Sequence, residues 1–290
     1  MTGLPIAVVI PTKGRPRILE DTLASLATQT LLPERVIVSA CCSDDLPNTR
    51  PLTLNIETVL GPAGSCAQRN AARSRLRADA QLVFLLDDDI ELAPDYLEQM
   101  TAALQAHPGI GLLGGNVVAE HVTRSEAKRI LAQPHAENDG AVPQPARALY
   151  GCNMCVRAHI FRMVDFDENL RLVGWLEDFD WSVRAGRHGA IMYYQAARLA
   201  HLKVNSGRTS GRRFGYAQII NPYYLHRKGT IPHFREVFER HWSRCLASNI
   251  AGLMRGDTKI DRCGRLQGNA RAFCDILLGR PDPRRIEFLD

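Results

Sequence analysis

Short apolar runs alternate with amphipathic stretches through the first half of the chain. The runs lack the alternation of a half-exposed strand, and their length is typical of strands buried on both faces of a parallel sheet. Such strands are predicted at residues 6–10, 35–39, 54–59 and 81–86. Helices are predicted between them, over residues 16–28 and after the glycine turn that begins at Gly61. The alternation of strand and helix predicts an α/β fold with a mainly parallel sheet.

Helical and strand patterns continue through the second half, with a less regular stretch between them. A helix after Pro94 is ended by Pro108-Gly109, and the weak periodicity of residues 119–147 indicates a helix and a long loop. Further strands are predicted at residues 110–118, 147–157 and 191–195. Further helices are predicted at residues 158–163, 177–186, 212–227 and 232–254. The last part of the chain is therefore expected to be largely helical.

Polar residues follow three of the predicted strands. Thr12 and Ser39 come at the ends of the first two strands, and Asp87-Asp88-Asp89 follows the fourth. In open α/β sheets, ligands bind in the crevice beyond the carboxyl ends of the strands. We therefore expect these residues to share one binding crevice.

The acidic triplet itself indicates a cation. Adjacent carboxylates repel one another, so that a cation or a set of hydrogen-bond donors is needed to offset the repulsion. Oxygen ligands on a partly open site favour Mg²⁺ or Mn²⁺ bridging to phosphates. Taken alone, the triplet is as compatible with an acidic cap on the helix that follows.

Basic residues are concentrated toward the carboxyl-terminal end of the chain. The net charge of +5 and the pI of about 8.8 arise largely in the last third of the chain. Such a surface would attract phosphate-bearing ligands or an anionic membrane face, or it is simply a solvated helical surface. Nucleic acid is not an expected partner, because the basic residues are not interleaved with a reading motif.

Cysteine usage and hydropathy bear on the compartment. The eight cysteines lack the regular spacing of a disulfide framework, and we interpret them as reduced core residues. Cys152-Asn-Met-Cys155 has no second pair at zinc-finger spacing, which argues against a structural zinc site. The amino terminus is not typical of a signal peptide, and no run approaches the roughly 20 apolar residues of a membrane span. A cytoplasmic protein is expected.

Several motifs occur in an order typical of one enzyme family. They are Val8-Val-Ile-Pro-Thr-Lys-Gly-Arg-Pro16, Gln68-Arg-Asn70, Leu85-Leu-Asp-Asp-Asp89, Gly174-Trp-Leu-Glu-Asp-Phe-Asp-Trp181 and Ala200-His201. With these motifs, residues 5–230 resemble the family-2 glycosyltransferases of GT-A fold. The resemblance implies a GT-A domain over residues 1–230, a mainly parallel mixed sheet flanked by helices. Residues 1–115 would form its nucleotide-sugar half and 116–230 its acceptor half, and 231–290 a helical extension.

The resemblance also implies roles for individual residues. The donor-binding residues implied are Pro11, Thr12, Arg15, Ser39, Arg69, Asp87, Asp88, Trp175 and Arg212. Asp89 would be the principal ligand of a divalent metal, Mn²⁺ or Mg²⁺, with Asp87 and His201 as further ligands. Either Asp87 or Asp88 would lie near the ribose. On its own, His201 would more often be a structural histidine.

Asp178 matches the catalytic base of inverting members of the family. A sugar hydroxyl is a poor nucleophile, so a carboxylate within hydrogen-bond reach must take its proton. The alternatives are that Glu177 and Asp178 only favour a helix start, or that Asp180 is the base. Trp175, three residues earlier, stacks on a sugar or belongs to the core.

A basic stretch after His201 is the last candidate element. Asn205, Ser206 and Arg208 precede Arg212 and Arg213, and arginine forks fit phosphate oxygens well. The stretch is either a loop that closes over the diphosphate or an ordinary surface loop.

One departure from the family pattern leaves the nucleotide open. Many relatives have an aspartate after the second strand that contacts the base, where this chain has Val38-Ser-Ala-Cys-Cys42. The donor is therefore expected to be a UDP-, dTDP- or GDP-linked sugar, and the acceptor a glycan, a lipid-linked glycan or a small molecule. A role in cell-surface or secreted polysaccharide or glycolipid synthesis, at the inner face of the membrane, would suit the basic carboxyl-terminal region. The alternatives are a sugar nucleotidyltransferase and a non-catalytic protein that binds nucleotide sugars or glycans.

Overall fold

Apolar strands from the first part of the chain pair in parallel. In the computed structural model, which describes residues 4–133, 141–204 and 209–289, β1 (Ile6–Pro11) lies between β2 (Arg35–Ala40) and β4 (Leu82–Leu86). β3 (Ile56–Leu60) pairs with β2 at the sheet edge. β1 and β4 are buried along their whole length, as their continuous apolar sequences predict. The four strands predicted here are confirmed.

The remaining strands extend the same sheet and make it mixed. They are β5 (Ile90–Leu92), β6 (Ile110–Glu120), β7 (Gln144–Pro145), β8 (Asn153–Arg157) and β9 (Ala190–His201). The strand order is β3-β2-β1-β4-β8-β6-β9-β5, and β7 pairs with β9. β8 is antiparallel to both of its neighbours, whereas β6 and β9 are parallel. The predicted α/β fold with a mainly parallel, mixed sheet is confirmed.

Two strand predictions had wrong limits. The strand predicted at 147–157 begins only at Asn153, because Tyr150–Cys152 form a turn before it. The strand predicted at 191–195 is part of the longer β9, which continues through residues 196–200. In that segment a single arginine, Arg198, interrupts small and apolar residues, so that there is no regular alternation with polar ones. Sequences of this kind mark a strand poorly, because they carry no period-two signal.

Helices flank the sheet along the first two thirds of the chain. They are α1 (Pro16–Leu26), α2 (Ser65–Arg73), α3 (Tyr96–Ala106), α4 (Arg124–Leu131), α5 (Ala158–Met163) and α6 (Glu177–Ala185). α1 starts with a proline at its first position, which favours a helix start, and buries Leu19, Leu23 and Leu26 at helical spacing. The predicted helix over 16–28 therefore exists but ends two residues earlier.

The carboxyl-terminal part is helical, as predicted. It consists of α7 (Gly211–Lys228), α8 (Phe234–Glu236), a π-helical segment (Val237–Trp242), α9 (Ser243–Met254) and α10 (Arg262–Leu277). α7 ends at Gly229, whose φ of 89° is the left-handed conformation of a helix C-cap. α7 and α10 approach closely at Gly215, where an added Cβ would lie 2.0 Å from the Arg265 carbonyl oxygen.

The described residues form two compact units. The first comprises residues up to Ala63, Ala67–Phe166 and Trp181–Val204, and it contains the whole sheet. The second comprises Gly64–Cys66, Asp167–Asp180 and residues 209–289. Strands from both predicted halves of the GT-A domain share one core in the first unit. The predicted domain limit at residue 230 stays a prediction.

The interpretation of all cysteines as core residues is wrong for three of them. Cys42, Cys263 and Cys274 are exposed, whereas Cys66, Cys152 and Cys155 are buried. All eight are free thiols. Among the helices that the structure describes, none has the length and hydropathy required to cross a membrane.

Candidate active site

The acidic triplet lies between β4 and β5, and its three side chains have different surroundings. The side chain of Asp87 is 30% exposed, whereas those of Asp88 and Asp89 are 0% and 5% exposed. Consecutive residues of an extended chain point in different directions, which separates Asp88 from its neighbours. Asp87 is therefore the member of the triplet most open to a ligand.

Asp88 is buried and held from two sides. The Thr12 hydroxyl donates a hydrogen bond of 2.6 Å to Asp88 Oδ2, and Arg15 Nη2 lies 2.7 Å from Asp88 Oδ1. Burial raises the pKa of Asp88 to about 7, although the Arg15 guanidinium opposes the shift. The Thr22 hydroxyl also donates to the Asp88 carbonyl oxygen at 2.7 Å. Asp88 thus connects β4 to the residues that follow β1.

Three donor groups contact the Asp89 carboxylate. Arg15 Nη1 and the Val204 amide donate to Asp89 Oδ2 at 3.2 and 3.1 Å, and His201 Nε2 lies 3.2 Å from Asp89 Oδ1. Burial alone would raise the pKa of Asp89, but the hydrogen bond from His201 and the nearby positive charges outweigh it and lower the pKa. Asp89 therefore carries a negative charge at neutral pH.

His201 is the last residue of β9, which pairs with β5 and so brings the ring to the triplet. Its Nε2 lies 3.9 Å from Asp87 Oδ2 as well as close to Asp89. Burial would lower the pKa of His201, but the hydrogen bond to Asp89 and the two carboxylate charges outweigh it and raise the pKa. The Tyr150 ring packs edge-on against the imidazole, with the ring centroids 5.6 Å apart.

Arg69, on α2, is buried beneath the same cluster. Its Nη2 donates to Asp87 Oδ1 at 3.2 Å and to the Gly151 carbonyl oxygen at 2.8 Å. The guanidinium carbon lies 5.2 Å from the centroid of the Phe166 ring, within cation–π range. Arg69 therefore fixes the orientation of the Asp87 carboxylate.

The ends of β1 and β2 meet beside these acids. Pro11 lies opposite Ser39 in the strand pair, and the Thr12 amide donates to the Ser39 carbonyl oxygen at 2.9 Å. Gln68 Nε2 donates to the carbonyl oxygens of both Thr12 and Ser39 at 2.7 Å. The Ser39 side chain is fully buried. The three strand ends predicted to converge therefore do so.

A second aspartate, Asp45, organises the loop after β2. Its carboxylate accepts hydrogen bonds from the Gly14 amide at 2.6 Å and from the Cys41 and Cys42 amides at 2.8 and 3.1 Å. Burial opposes ionisation of Asp45, but these backbone donors outweigh it and lower the pKa. Asp45 was not among the predicted site residues, although an acid five residues after the end of β2 is a familiar signal of a side chain that caps a turn.

Three donor atoms in this region can hold a metal ion. An oxygen of Asp87, the sulfur of Cys152 and a ring nitrogen of His201 all lie within 4.8 Å of one another. Asp87 and His201 were predicted as metal ligands, whereas Cys152 was not. The antiparallel register of β8 with β4 brings Cys152 to the site. Asn153 is opposite Leu86 in this register, so that Cys152, the residue before Asn153, lies beside Asp87. That register is a tertiary feature and is not visible in the sequence.

The second unit contains the predicted base. Asp178 lies in the first turn of α6 and is partly exposed, and its Oδ1 accepts a hydrogen bond of 2.7 Å from the Phe179 amide. The turn before it has left-handed backbone at Leu172, Gly174 and Leu176, with φ of 57°, 58° and 69°. Such conformations are unfavourable for leucine and cluster at functional sites.

Asp180, the alternative base, is engaged in a buried network. Its side chain is 1% exposed, and its Oδ1 accepts a hydrogen bond of 2.6 Å from the Thr230 hydroxyl. Lys228 Nζ lies 2.9 Å from Asp180 Oδ2 and 2.6 Å from Asp167 Oδ2. A carboxylate that is buried and occupied by two donors is poorly placed to take a proton from an acceptor.

Trp175 and Arg212 also lie in the second unit. The Trp175 ring packs edge-on against Phe214 at 5.3 Å, and its carbonyl oxygen accepts a hydrogen bond from Asn221. Its buried Nε1 has no hydrogen-bond partner among the described residues. Arg212 is exposed in the first turn of α7. The preceding Asn205, Ser206 and Arg208 lie outside the described residues.

Fold and site together define a mixed α/β protein with a carboxylate and histidine cluster at its strand ends. The sequence profile named Glycosyl transferase family 2 matches residues 7–164, more than half of the 290 residues. The chain therefore belongs to glycosyl transferase family 2, which confirms the resemblance inferred from its motifs. A comparison with curated proteins finds no match.

Solved glycosyltransferase structures share the fold. S. aureus TarS matches with a TM-score of 0.51 and 16% identity over 76% of this chain and 39% of TarS. TarS 1-349 in complex with UDP-GlcNAc gives the same TM-score and identity over 76% of this chain and 66% of that one. GalNAc-T7 with UDP, GalNAc and Mn²⁺ matches with a TM-score of 0.54 and 13% identity over 80% of this chain and 52% of GalNAc-T7. This chain thus spans less than two thirds of each, and the likeness shows the GT-A fold.

Proposed function

We propose that this chain is an inverting, metal-dependent glycosyltransferase that moves a sugar from a nucleotide-diphosphate donor to an acceptor hydroxyl. The observation that carries the proposal is the cluster of Asp87, Asp89 and His201 at the strand ends of a glycosyl transferase family 2 domain. Ligands of α/β sheets bind at this edge. An acidic cluster there needs a cation before it can hold a diphosphate, because like charges repel.

Asp87, Asp89 and His201 would hold the divalent cation, Mn²⁺ or Mg²⁺. Carboxylate oxygens suit both ions, and an imidazole is a better ligand for Mn²⁺ than for Mg²⁺. When bound, the ion neutralises charge that develops on the departing diphosphate. The presence of Mn²⁺ in the GalNAc-T7 structure supports this assignment.

Residues around the cluster are proposed to bind the rest of the donor. Thr12, Ser39 and Arg69 come from the strand ends and α2, and Arg15 is ion-paired to both buried acids. Asp88 serves this region indirectly, because its buried carboxylate fixes Thr12 and Arg15. UDP-GlcNAc in the TarS structure and UDP in the GalNAc-T7 structure support a UDP-linked donor as the first to test, with dTDP- and GDP-linked sugars next.

Asp178 is proposed as the base that activates the acceptor. Its side chain is partly exposed, whereas that of Asp180 is buried between Thr230 and Lys228. A general base must be reachable by the hydroxyl whose proton it takes. Direct attack on the face opposite the leaving group would invert the anomeric centre.

The products of a donor assay separate the proposal from its alternatives. The purified chain is incubated with UDP-, dTDP- or GDP-linked sugars, Mn²⁺ and glycan or lipid-linked acceptors. A glycosyltransferase releases a nucleoside diphosphate, a nucleotidyltransferase releases pyrophosphate, and a non-catalytic protein releases neither. Before acceptors are known, a donor that binds the native state raises thermal stability, by about 2.7 kcal/mol at a concentration 100 times Kd. Pyrophosphate as the product would refute the proposal.

A lipid-linked acceptor at a membrane surface is proposed from the exposed face of α9. Ile250, Leu253 and Met254 are 48%, 49% and 83% exposed, and Arg244 and Arg255 flank them. Apolar side chains beside cations suit the interface of an anionic bilayer. Co-sedimentation with vesicles that contain phosphatidylglycerol should fall in a Leu253→Ser, Met254→Ser variant. Equal binding by the variant, or no binding by the unsubstituted chain, would exclude this contact.

A further inference from the structure

A cysteine thiol lies beside two of the residues proposed to hold the metal. We propose that Asp87, Cys152 and His201 form a binding site for a thiophilic divalent cation, Zn²⁺ or Cd²⁺, in which Cys152 is a thiolate ligand. The three donor atoms lie within 4.8 Å of one another. The inference rests on the proposed function for the location of the metal, but it does not depend on whether the chain catalyses sugar transfer.

The fold brings this thiol to the site through strand pairing. Cys152 directly precedes β8, whose Asn153 is opposite Leu86 of β4, so that Cys152 lies alongside Asp87. Cys152 is fully buried and His201 is 7% exposed, whereas the Asp87 side chain is 30% exposed. The site is therefore deep and open on the side of Asp87. Three protein ligands with one open side are typical of zinc sites that keep a position for water or substrate.

The CxxC motif in this segment does not act as a pair. Cys152 and Cys155 are both buried in the hydrophobic core, but among the residues that the structure describes only Cys152 belongs to a group of three metal-binding donors. Burial raises the pKa of the Cys155 thiol, which keeps it protonated. The site thus combines one sulfur, one nitrogen and one oxygen donor from three separate segments of the chain.

The chemistry of these donors separates two kinds of metal. Zinc ligands at about 2.0–2.3 Å in a tetrahedron lie about 3.3–3.7 Å apart, so that the three atoms need to approach by roughly 1 Å. Thiolate ligands favour Zn²⁺ and its heavier analogue Cd²⁺, whereas Mg²⁺ and Mn²⁺ prefer oxygen. Binding replaces the thiol proton by the metal and releases that proton to solvent, with no change of oxidation state. The oxygen-bound Mn²⁺ and the sulfur-bound Zn²⁺ would share Asp87 and His201 and so exclude each other.

Cadmium titration without nucleotide tests the assignment. The background is the full chain with serine at four more accessible cysteines, Cys41, Cys42, Cys263 and Cys274. We expect a saturable sulfur-to-cadmium charge-transfer absorption, which Cys152→Ala abolishes. Cadmium affinity should fall by about tenfold or more, since losing a direct ligand costs at least as much as losing an outer-shell partner. Cys155→Ala, an equally buried thiol in the same segment, is the matched control and should leave the absorption unchanged.

Manganese binding, followed by electron paramagnetic resonance, separates this inference from the proposed function. His201→Ala should weaken the binding of both metals, whereas Cys152→Ala should weaken the binding of cadmium alone. If Cys152→Ala loses the absorption and the unsubstituted chain shows no Mn²⁺-dependent sugar transfer, the thiolate site is supported and the proposed function is rejected. A full absorption in Cys152→Ala, or none in the background chain, would overturn the inference. If that variant does not fold, ¹¹³Cd resonance of the background chain decides, and a spectrum without sulfur coordination rejects the inference.

Discussion

Replacing Asp180 by asparagine should destabilise the protein without removing its chemistry. The change keeps the shape of the side chain but removes the charge that faces Lys228 Nζ at 2.9 Å and the Thr230 hydroxyl at 2.6 Å. Hydrogen bonds to charged groups contribute about 1.5–3 kcal/mol, against about 0.5–1.5 kcal/mol for neutral ones. Lys228 retains its pair with Asp167, and an amide costs less to bury than a carboxylate. We therefore expect the free energy of unfolding to fall by about 2 kcal/mol.

Urea unfolding measured by circular dichroism tests this value, because a pure loss of stability lowers the midpoint and leaves the m-value unchanged. Asp178→Asn is the matched control, two residues away on the same helix and partly exposed. Its stability should change by less than about 0.5 kcal/mol. If Asp180→Asn is as stable as the unsubstituted protein, the buried network does not stabilise the fold as argued. If it is stable and inactive, Asp180 and not Asp178 is the base.

Three further predictions concern the second unit and the helix packing. Asp178→Asn should lower the turnover rate at least about 100-fold while donor affinity, measured by calorimetry, stays the same; wild-type turnover would remove Asp178 from the mechanism. Burial would raise the pKa of Asp167, but the Lys228 ammonium outweighs it and lowers the pKa. The contribution of the ionised Asp167 to stability should be complete above the unfolded pKa of about 3.9, and it should be lost as the pH falls through the lower folded pKa. Lys228→Met should therefore flatten the acid side of the stability profile, and an unchanged profile would contradict the pairing. Gly215→Ala should destabilise by about 1–3 kcal/mol because the helices must separate, whereas Gly109→Ala, with nothing within 4 Å of its added Cβ, should not; equal effects would refute the close approach.

The central part of the fold could be predicted because local signals and tertiary structure agree there. The apolar runs of β1, β2 and β4 are buried on both faces, so their sequences lack alternation and end in polar residues. Thr12, Ser39 and the triplet then meet at one edge as a consequence of parallel pairing. The place of β8 in the sheet could not be predicted in this way, because β8 is antiparallel and lies between β4 and β6.

The different surroundings of the three acids in the triplet could not be predicted from the sequence. The order of residues shows three equal acids, whereas the structure exposes Asp87, ties Asp89 to His201 and buries Asp88 against Thr12. Cys152 was missed for the same reason, because only the register of β8 brings it to the site. Which side chain of a polar cluster faces a ligand depends on partners distant in sequence.

Metal-dependent release of a nucleoside diphosphate is a direct test of the proposed glycosyltransferase activity. The unsubstituted chain and Asp89→Asn are compared with a UDP-linked sugar, an acceptor glycan and Mn²⁺, with and without a chelator. We expect the unsubstituted chain to release UDP and to transfer the sugar with inversion. Chelation should abolish this release, and Asp89→Asn should lower it by about 100-fold or more. Transfer that survives complete chelation, or an Asp89→Asn protein with full activity, would contradict the proposed function.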